Sequence, residues 1–152
     1  MQLIRGNFHR LVYCSKVRLS MGEGIDDALA GILTIAQARN SACDVTGALL
    51  ICNGWFVQVL EGPMQAVLQT YGRITRDPRH AELTIIEATP TRDRHFAEWS
   101  MCGLGFSPVD REIVGVLSAG GAFDPTRLNA TRALNLLASV GKMQRTRATV
   151  SL

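Results

Sequence analysis

The dipeptide Asn53-Gly54, which separates two apolar runs, constrains the fold more than any other feature of the sequence. The runs, Thr46–Cys52 and Trp55–Leu60, have the length and composition of β-strands. Asn-Gly is the pair that best fits a two-residue type I′ turn, because both central residues of that turn need positive φ. We therefore predict a β-hairpin whose register places Leu49 opposite Gln58.

This register puts a polar side chain on an apolar strand face. Side chains alternate along a strand, so Phe56, Gln58 and Leu60 share one face, and Leu49 lies across from the amide. Burying a primary amide without partners costs about 1–3 kcal/mol on protein mutational scales. We therefore expect this face to offer Gln58 both hydrogen-bond donors and acceptors.

The whole sequence predicts the element order β-α-β-β-α-β-β. Besides the hairpin, the predicted elements are a strand at Phe8–Ser15, a helix at Ile25–Asn40, a helix from Pro63 to about Asp77, and strands at Leu83–Thr89 and Trp99–Leu104. Two β-α-β units that share a sheet predict an α+β, ferredoxin-like architecture. We expect a five-stranded mixed sheet with both helices on one face.

The sequence after Ser107 predicts two further helices, at Val109–Ala119 and Asp124–Val140. The second face of the sheet is also apolar, so these helices could cover it or present it to another subunit. We therefore divide the 152 residues into a domain at 1–106 and a C-terminal two-helix extension with a basic tail at 107–152.

Composition excludes several classes of protein. The longest apolar stretch, around Gly47–Cys52, is too short to span a membrane, and no signal-peptide pattern opens the chain, so we predict a cytoplasmic location and no membrane partner. The four cysteines lie far apart without a C-x-x-C pair, which predicts neither a metal site nor a disulfide framework. The net charge of +3 comes from scattered residues, so we expect no nucleic-acid partner.

Three polar residues could converge beneath the two predicted helices: Tyr13, Asn40 and Gln58. A phenol and two amides include no general base and no metal ligand, and they are poor nucleophiles near neutral pH. They are suited to hydrogen-bonding a planar heterocycle that has carbonyl and ring-nitrogen edges. We therefore expect a binding site and not an enzyme.

Five separated blocks carry a family resemblance. They are Leu11–Ser15, Asn40 with Thr46–Leu50, Gly54–Pro63, Asp77–His80 and Phe96–Met101. Together, over roughly Phe8–Phe106, they resemble the BLUF domain, a blue-light sensor that uses flavin. The resemblance implies that a flavin is held non-covalently between the two helices, usually FAD, with FMN or riboflavin as alternatives.

The resemblance also implies which residues take part in the photochemistry. Tyr13 would donate an electron and a proton to the photoexcited ring, and Gln58 would lie between that phenol and the flavin. Trp99 and Met101 match the fifth-strand positions that are associated with signalling, and which of the two lies inside the pocket is left open.

The same resemblance implies the residues that bind the cofactor. Asn40 would bond the carbonyl region of the ring, while Ile32 and Ile74 would sandwich the ring from the two helices. Arg79 and His80 match positions near the ribityl-phosphate or adenine part. We expect the signal to leave by protein contacts, in a homo-oligomer or with a downstream protein that the sequence does not identify.

Two other functions are compatible with a ferredoxin-like domain. An acylphosphatase-type hydrolase would need an anion-holding loop and an arginine beside the first strand, but Arg10 lies within that strand and no Gly-rich loop follows it. The second alternative is a light-independent oligomerisation or ligand-binding module. A purified protein that is colourless after reconstitution with flavin would favour this module.

Overall fold

The computed structural model describes residues 8–18, 31–32, 34–36, 38–39, 42–52, 54–96, 102–104 and 124–139. The strands are β1 (Phe8–Val17), β2 (Thr46–Cys52), β3 (Trp55–Gly62), β4 (His80–Thr91) and β5 (Cys102–Leu104). The helical residues 31–32, 34–36, 38–39 and 42–43 are referred to as α1, helix α2 spans Met64–Thr75, and the helical residues 130–139 are referred to as α3.

The described strands form one sheet in the order β4-β1-β3-β2-β5. The first four are antiparallel to their neighbours, and the short β5 pairs in parallel with β2. An antiparallel sheet combined with helices confirms the predicted α+β class. Because β1 and β3 are adjacent in the sheet, the residues of the first strand lie directly beside those of the hairpin.

The hairpin has the predicted register. Leu49 pairs with Gln58, and Gly54 adopts a φ of 80°, which a residue with a Cβ rarely takes. A second glycine is required where β3 ends, because a Cβ on Gly62 would lie 2.6 Å from the backbone oxygen of Asp44. This close approach fixes the turn that follows α1 against the end of β3.

Side chains pack on both faces of the sheet. On one face, which we call the helix face, a first core contains Leu11, Tyr13, Val45, Leu49, Ile51, Phe56, Leu60 and Val67, with residues of α1 and α2 packed against it. On the opposite face a second core contains Val12, Cys14, Ala48, Leu50, Val57, Val59, Phe96, Ala133 and Leu137. Helix α3 supplies the last two residues and therefore covers part of the second face.

A buried ion pair ties the segment after β4 to the sheet. The guanidinium Nε of Arg10 donates to Oε2 of Glu61 at 2.8 Å, and the carboxylate is completely buried. The same carboxylate accepts from the backbone N–H groups of His95 at 3.1 Å and Phe96 at 2.8 Å. Glu61 thus joins β1, β3 and the residues that follow β4.

Several element boundaries differ from the predictions. Strand β4 begins at His80 instead of Leu83, because the turn after α2 ends within a few residues. The prediction of a continuous helix from Asp124 to Val140 is wrong at its start, where a short 3-10 turn covers Pro125–Arg127. Asn129 then accepts a hydrogen bond from the N–H of Arg132 at 2.8 Å, which caps α3 and separates it from the turn.

Several predicted features fall outside the described residues. They are the start of the helix predicted at Ile25–Asn40, the helix at Val109–Ala119, the Trp99–Met101 part of the fifth strand, and the basic tail. Among the residues that are described, no helix has both the length and the apolar content needed to cross a membrane.

Candidate functional site

Tyr13 and Gln58 are direct cross-strand partners on β1 and β3. The hydroxyl of Tyr13 donates a hydrogen bond to Oε1 of Gln58. The phenol is fully buried, and the glutamine is only 4% exposed. The sequence places the Gln58 amide on an apolar strand face. In the structure, its hydrogen-bond partner there is the buried phenol of Tyr13.

The phenol of Tyr13 stays protonated near neutral pH. Burial raises its pKa well above the ordinary value for tyrosine, and the nearby Tyr71, Asp77 and Cys14 raise it further. A protonated phenol is a hydrogen-bond donor, so it matches the amide oxygen that faces it.

Two aromatic rings flank Tyr13. The centroid of the Tyr71 ring lies 5.3 Å away and that of His80 lies 6.0 Å away, both in edge-to-face arrangements. The imidazole of His80 also contacts the ring of Phe56, with 4.3 Å between centroids, and its Nδ1 lies 2.8 Å from Oγ of Ser15. His80 is thus packed against the sheet on the helix face.

Burial lowers the pKa of His80 to about 4, because the charged imidazolium would lose its hydration. The carboxylate of Asp77 opposes this effect, and the guanidinium of Arg79 adds to it. The imidazole of His80 is therefore neutral at physiological pH.

A cavity of about 240 Å³ lies between α1, α2 and the sheet. Ile32 and Ile74 line it from the two helices, and Leu49 and Gln58 line it from the sheet. Its volume is slightly below the range of about 300–1,000 Å³ that is typical of ligand sites. Apolar walls on two sides and an amide on the sheet fit a planar ring that has polar groups along one edge.

Charged residues also line this cavity. The guanidinium of Arg79 donates to the carboxylate of Asp77, from Nη2 at 2.6 Å and from Nε at 3.0 and 3.1 Å. These hydrogen bonds hold the pKa of Asp77 below its usual value, so the carboxylate balances the charge of Arg79. Arg39 and Arg73 line the same cavity and supply further positive charge.

The structure brings together most of the predicted site residues that it describes. Ile32, Gln58, Ile74, Arg79 and His80 line the cavity, while Tyr13 lies behind Gln58. Three predicted residues, Asn40, Trp99 and Met101, lie outside the described residues.

Sequence reasoning missed several residues near the site, and four of them follow from the spacing of a predicted one. In the sequence, Arg39 directly precedes Asn40 and Arg73 directly precedes Ile74. Ser15 lies two residues after Tyr13 on the same strand face, and Tyr71 is three residues before Ile74. Within the part of the chain that the structure describes, no three His, Cys, Asp or Glu side chains are placed to hold a metal ion.

Known proteins share this sequence pattern and this fold. A family model described as sensors of blue-light using FAD, BLUF, matches residues 8–102. Photoactivated adenylate cyclase subunit beta of Euglena gracilis is 43% identical over 74 residues, which make up 48% of this chain and 9% of the cyclase subunit. The chain therefore matches less than a tenth of the length of that relative.

Two solved structures match nearly the whole chain. The photo-activated state of BlsA gives a TM-score of 0.73 at 25% identity, covering 88% of this chain and 94% of BlsA. The dark state of BlrB, a BLUF protein, gives a TM-score of 0.64 at 27% identity, covering 97% of this chain and 98% of BlrB. With the family model matching well over half of its residues, the chain belongs to the BLUF family of blue-light photoreceptors, which use FAD.

Proposed function

We propose that Tyr13 and Gln58 are the photoactive pair of this photoreceptor, on a ferredoxin-like, five-stranded sheet. The observation that carries the proposal is the buried hydrogen bond from the phenol to the amide oxygen, on the sheet face that borders the cavity between α1 and α2. The pair is shielded from water, so a change in its hydrogen bonding would persist instead of being exchanged for bonds to solvent.

The cavity residues would hold FAD by the chemistry that they offer. Ile32 and Ile74 would pack on the two faces of the flavin ring, and Asn40 would bond its carbonyl region. Arg39 and Arg73 would supply positive charge for the phosphates, since the charge of Arg79 is balanced by Asp77. When bound, FAD absorbs blue light and becomes a strong oxidant.

Tyr13 would supply the electron and the proton. Its hydroxyl points at Gln58, so the proton can move along an existing hydrogen bond. A primary amide presents an acceptor oxygen and a donor NH2 group of almost equal size, so half a turn about its terminal bond exchanges donor and acceptor within the same space. Gln58 can therefore have two orientations that favour different hydrogen-bond partners, which makes it suitable as a switch.

Two substitutions test this assignment. Tyr13→Phe removes the hydroxyl, and Gln58→Leu removes the amide, while both keep most of the side-chain volume. We expect both variants to bind flavin and to lose the reversible red shift of flavin absorbance under blue light. Gln65→Leu, on the exposed side of α2, is the matched control and should keep the shift. An unchanged red shift in both site variants would refute the assignment.

We also propose that the signal leaves through protein contacts, in a homo-oligomer or with a separate effector. In support, the matched segment makes up only 9% of the Euglena relative, which is named as a cyclase subunit, so in that relative a segment like this one is joined to a much larger protein. Light scattering in darkness and under blue light would measure the mass of the assembly. Identical masses, together with no captured partner, would contradict the proposal.

A further inference from the structure

The contact between His80 and Ser15 is not used by the photoactive pair itself. Nδ1 of His80 lies 2.8 Å from Oγ of Ser15, whose side chain is completely buried. The two residues come from different strands, β4 and β1, and are 65 positions apart in the sequence. This hydrogen bond therefore fixes the imidazole relative to the strand that carries Tyr13.

His80 lies next to the photoactive pair. On the helix face of β1 and β3, the pair Ser15 and Phe56 is the next same-face pair after Tyr13 and Gln58. The imidazole packs against Phe56 at 4.3 Å and meets the edge of Tyr13 at 6.0 Å between centroids. It forms one side of the space in which the phenol ring is held, and Tyr71 contacts the ring at 5.3 Å.

We propose that His80, fixed by Ser15, is a positioning residue that holds the ring of Tyr13 where its hydroxyl meets Gln58. The inference rests on the proposed function of the pair. Hydrogen-bond strength and proton transfer fall steeply when a donor moves by a fraction of an ångström or turns away. A ring that moved more freely would therefore change the rate at which the pair returns from the lit to the dark arrangement.

The hydrogen bond to Ser15 determines how firmly the imidazole is held. A neutral imidazole has one donor and one acceptor nitrogen, and a serine hydroxyl can pair with either. Removing the hydroxyl leaves Nδ1 of His80 without this partner, which favours rotation of the ring towards other polar groups. The contact with Tyr13 would then loosen, although the strands remain paired.

Flavin-loaded variants test the proposal. We expect Ser15→Ala to bind flavin and keep the red shift but to change the rate of dark recovery about fivefold, which is the size expected from one lost hydrogen bond. The ring of Tyr13 should also flip faster, as measured by aromatic NMR of the dark protein. His80→Phe keeps an aromatic ring and loses the hydrogen bond, so it should act in the same direction. Ser139→Ala, on α3, is the matched control and should have no effect on either rate.

The double variant Ser15→Ala/His80→Phe separates positioning from general loosening. If the two residues act as one unit, its recovery rate should match that of the single variants instead of combining their effects. Wild-type recovery and wild-type ring flipping in Ser15→Ala would overturn the proposal, whatever the behaviour of His80→Phe. The assignment of the pair is tested separately, by the loss of the red shift that we expect in Tyr13→Phe and Gln58→Leu.

Discussion

At the scale of single residues, the site combines polar groups that are buried and neutral. The phenol of Tyr13 has a raised pKa, and the imidazole of His80 has a pKa lowered to about 4, both chiefly because burial disfavours the charged form. Neither group therefore places a charge beside Gln58 at physiological pH. Two uncharged neighbours suit an amide whose two orientations must lie close in energy.

Acid should destabilise the protein through His80. Its pKa is about 4 in the folded protein and 6.5 ordinarily, so the unfolded chain binds the proton more readily. Stability is therefore fully present above pH 6.5 and is lost as the pH falls towards 4, by roughly 2 to 3 kcal/mol at most. The charged groups that act on the imidazole are Asp77, which raises the pKa, and Arg79, which lowers it.

Urea unfolding of the wild type and of His80→Phe, at about pH 7 and about pH 4.5, measures this effect. The other titrating groups are common to both proteins, so the difference between the two pH dependences isolates His80. We expect the variant to lose less stability on acidification than the wild type. Parallel losses in the two proteins would show that His80 does not carry this pH dependence.

The sequence could predict the pair but not the surroundings of His80. An amide on an apolar strand face needs a hydrogen-bond partner. Because β1 and β3 are expected to be adjacent in the sheet, Tyr13 is the predicted partner, so Gln58 and Tyr13 both follow from the local sequence pattern. The inward packing of His80 depends on the path of the turn at Asp77 and Pro78, and the salt bridge of Arg79 depends on a side-chain rotamer. Such contacts are tertiary, and spacing alone does not reveal them.

At the scale of elements, the Glu61 network links the strand that carries Gln58 to the segment after β4. The ion pair between Glu61 and Arg10 is buried, and the backbone N–H groups of His95 and Phe96 also donate to the Glu61 carboxylate. Arg94 forms a second link, with its NH2 nitrogen 2.9 Å from the backbone oxygen of Asp44 and 3.0 Å from its carboxylate. The segment is thus attached at both β3 and the turn that follows α1.

Breaking the buried pair should cost much more stability than breaking an exposed one. Glu61→Gln leaves the buried Arg10 without its counter-charge, so we expect a loss of about 3–5 kcal/mol in the free energy of unfolding. Glu82→Gln removes an exposed partner of Lys16 by the same chemical change and should cost only about 0.2–1 kcal/mol. Urea unfolding compares the two variants, and equal losses would contradict a structural role for the network.

The predictability of the elements follows the strength of their local signals. Asn53-Gly54 determines the hairpin register, and Pro63 marks the start of α2, because both act through backbone geometry. The predicted start of α3 is wrong, because the apolar spacing continues through Leu128 while Asn129 provides the actual cap. Asparagine is a residue type that favours the helix N-cap, but the apolar periodicity around Asn129 predicts a helix that begins earlier.

At the scale of the whole molecule, the sheet is packed on both faces, and different elements lie on each face. The helix face borders the cavity and the photoactive pair, and the second face contacts α3 through Ala133 and Leu137, both completely buried. We propose that residues 107–152 are a capping extension of the sensor domain at 1–106. In this arrangement α3, through Ala133 and Leu137, packs on the strands that carry Tyr13 and Gln58.

Truncating one leucine of this cap tests whether it belongs to the same folding unit. Leu137→Ala opens a cavity in the second core and should cost about 2–5 kcal/mol. Leu68→Ala makes the same change on the half-exposed side of α2 and should stay within about 0.5 kcal/mol. Because α3 and the strands share a core, far-UV circular dichroism and flavin absorbance should report one common unfolding transition in Leu137→Ala, at a lower urea concentration than in the wild type. Two separate transitions, or losses of equal size in the two variants, would show that α3 is an appendage whose packing the sensor domain does not need.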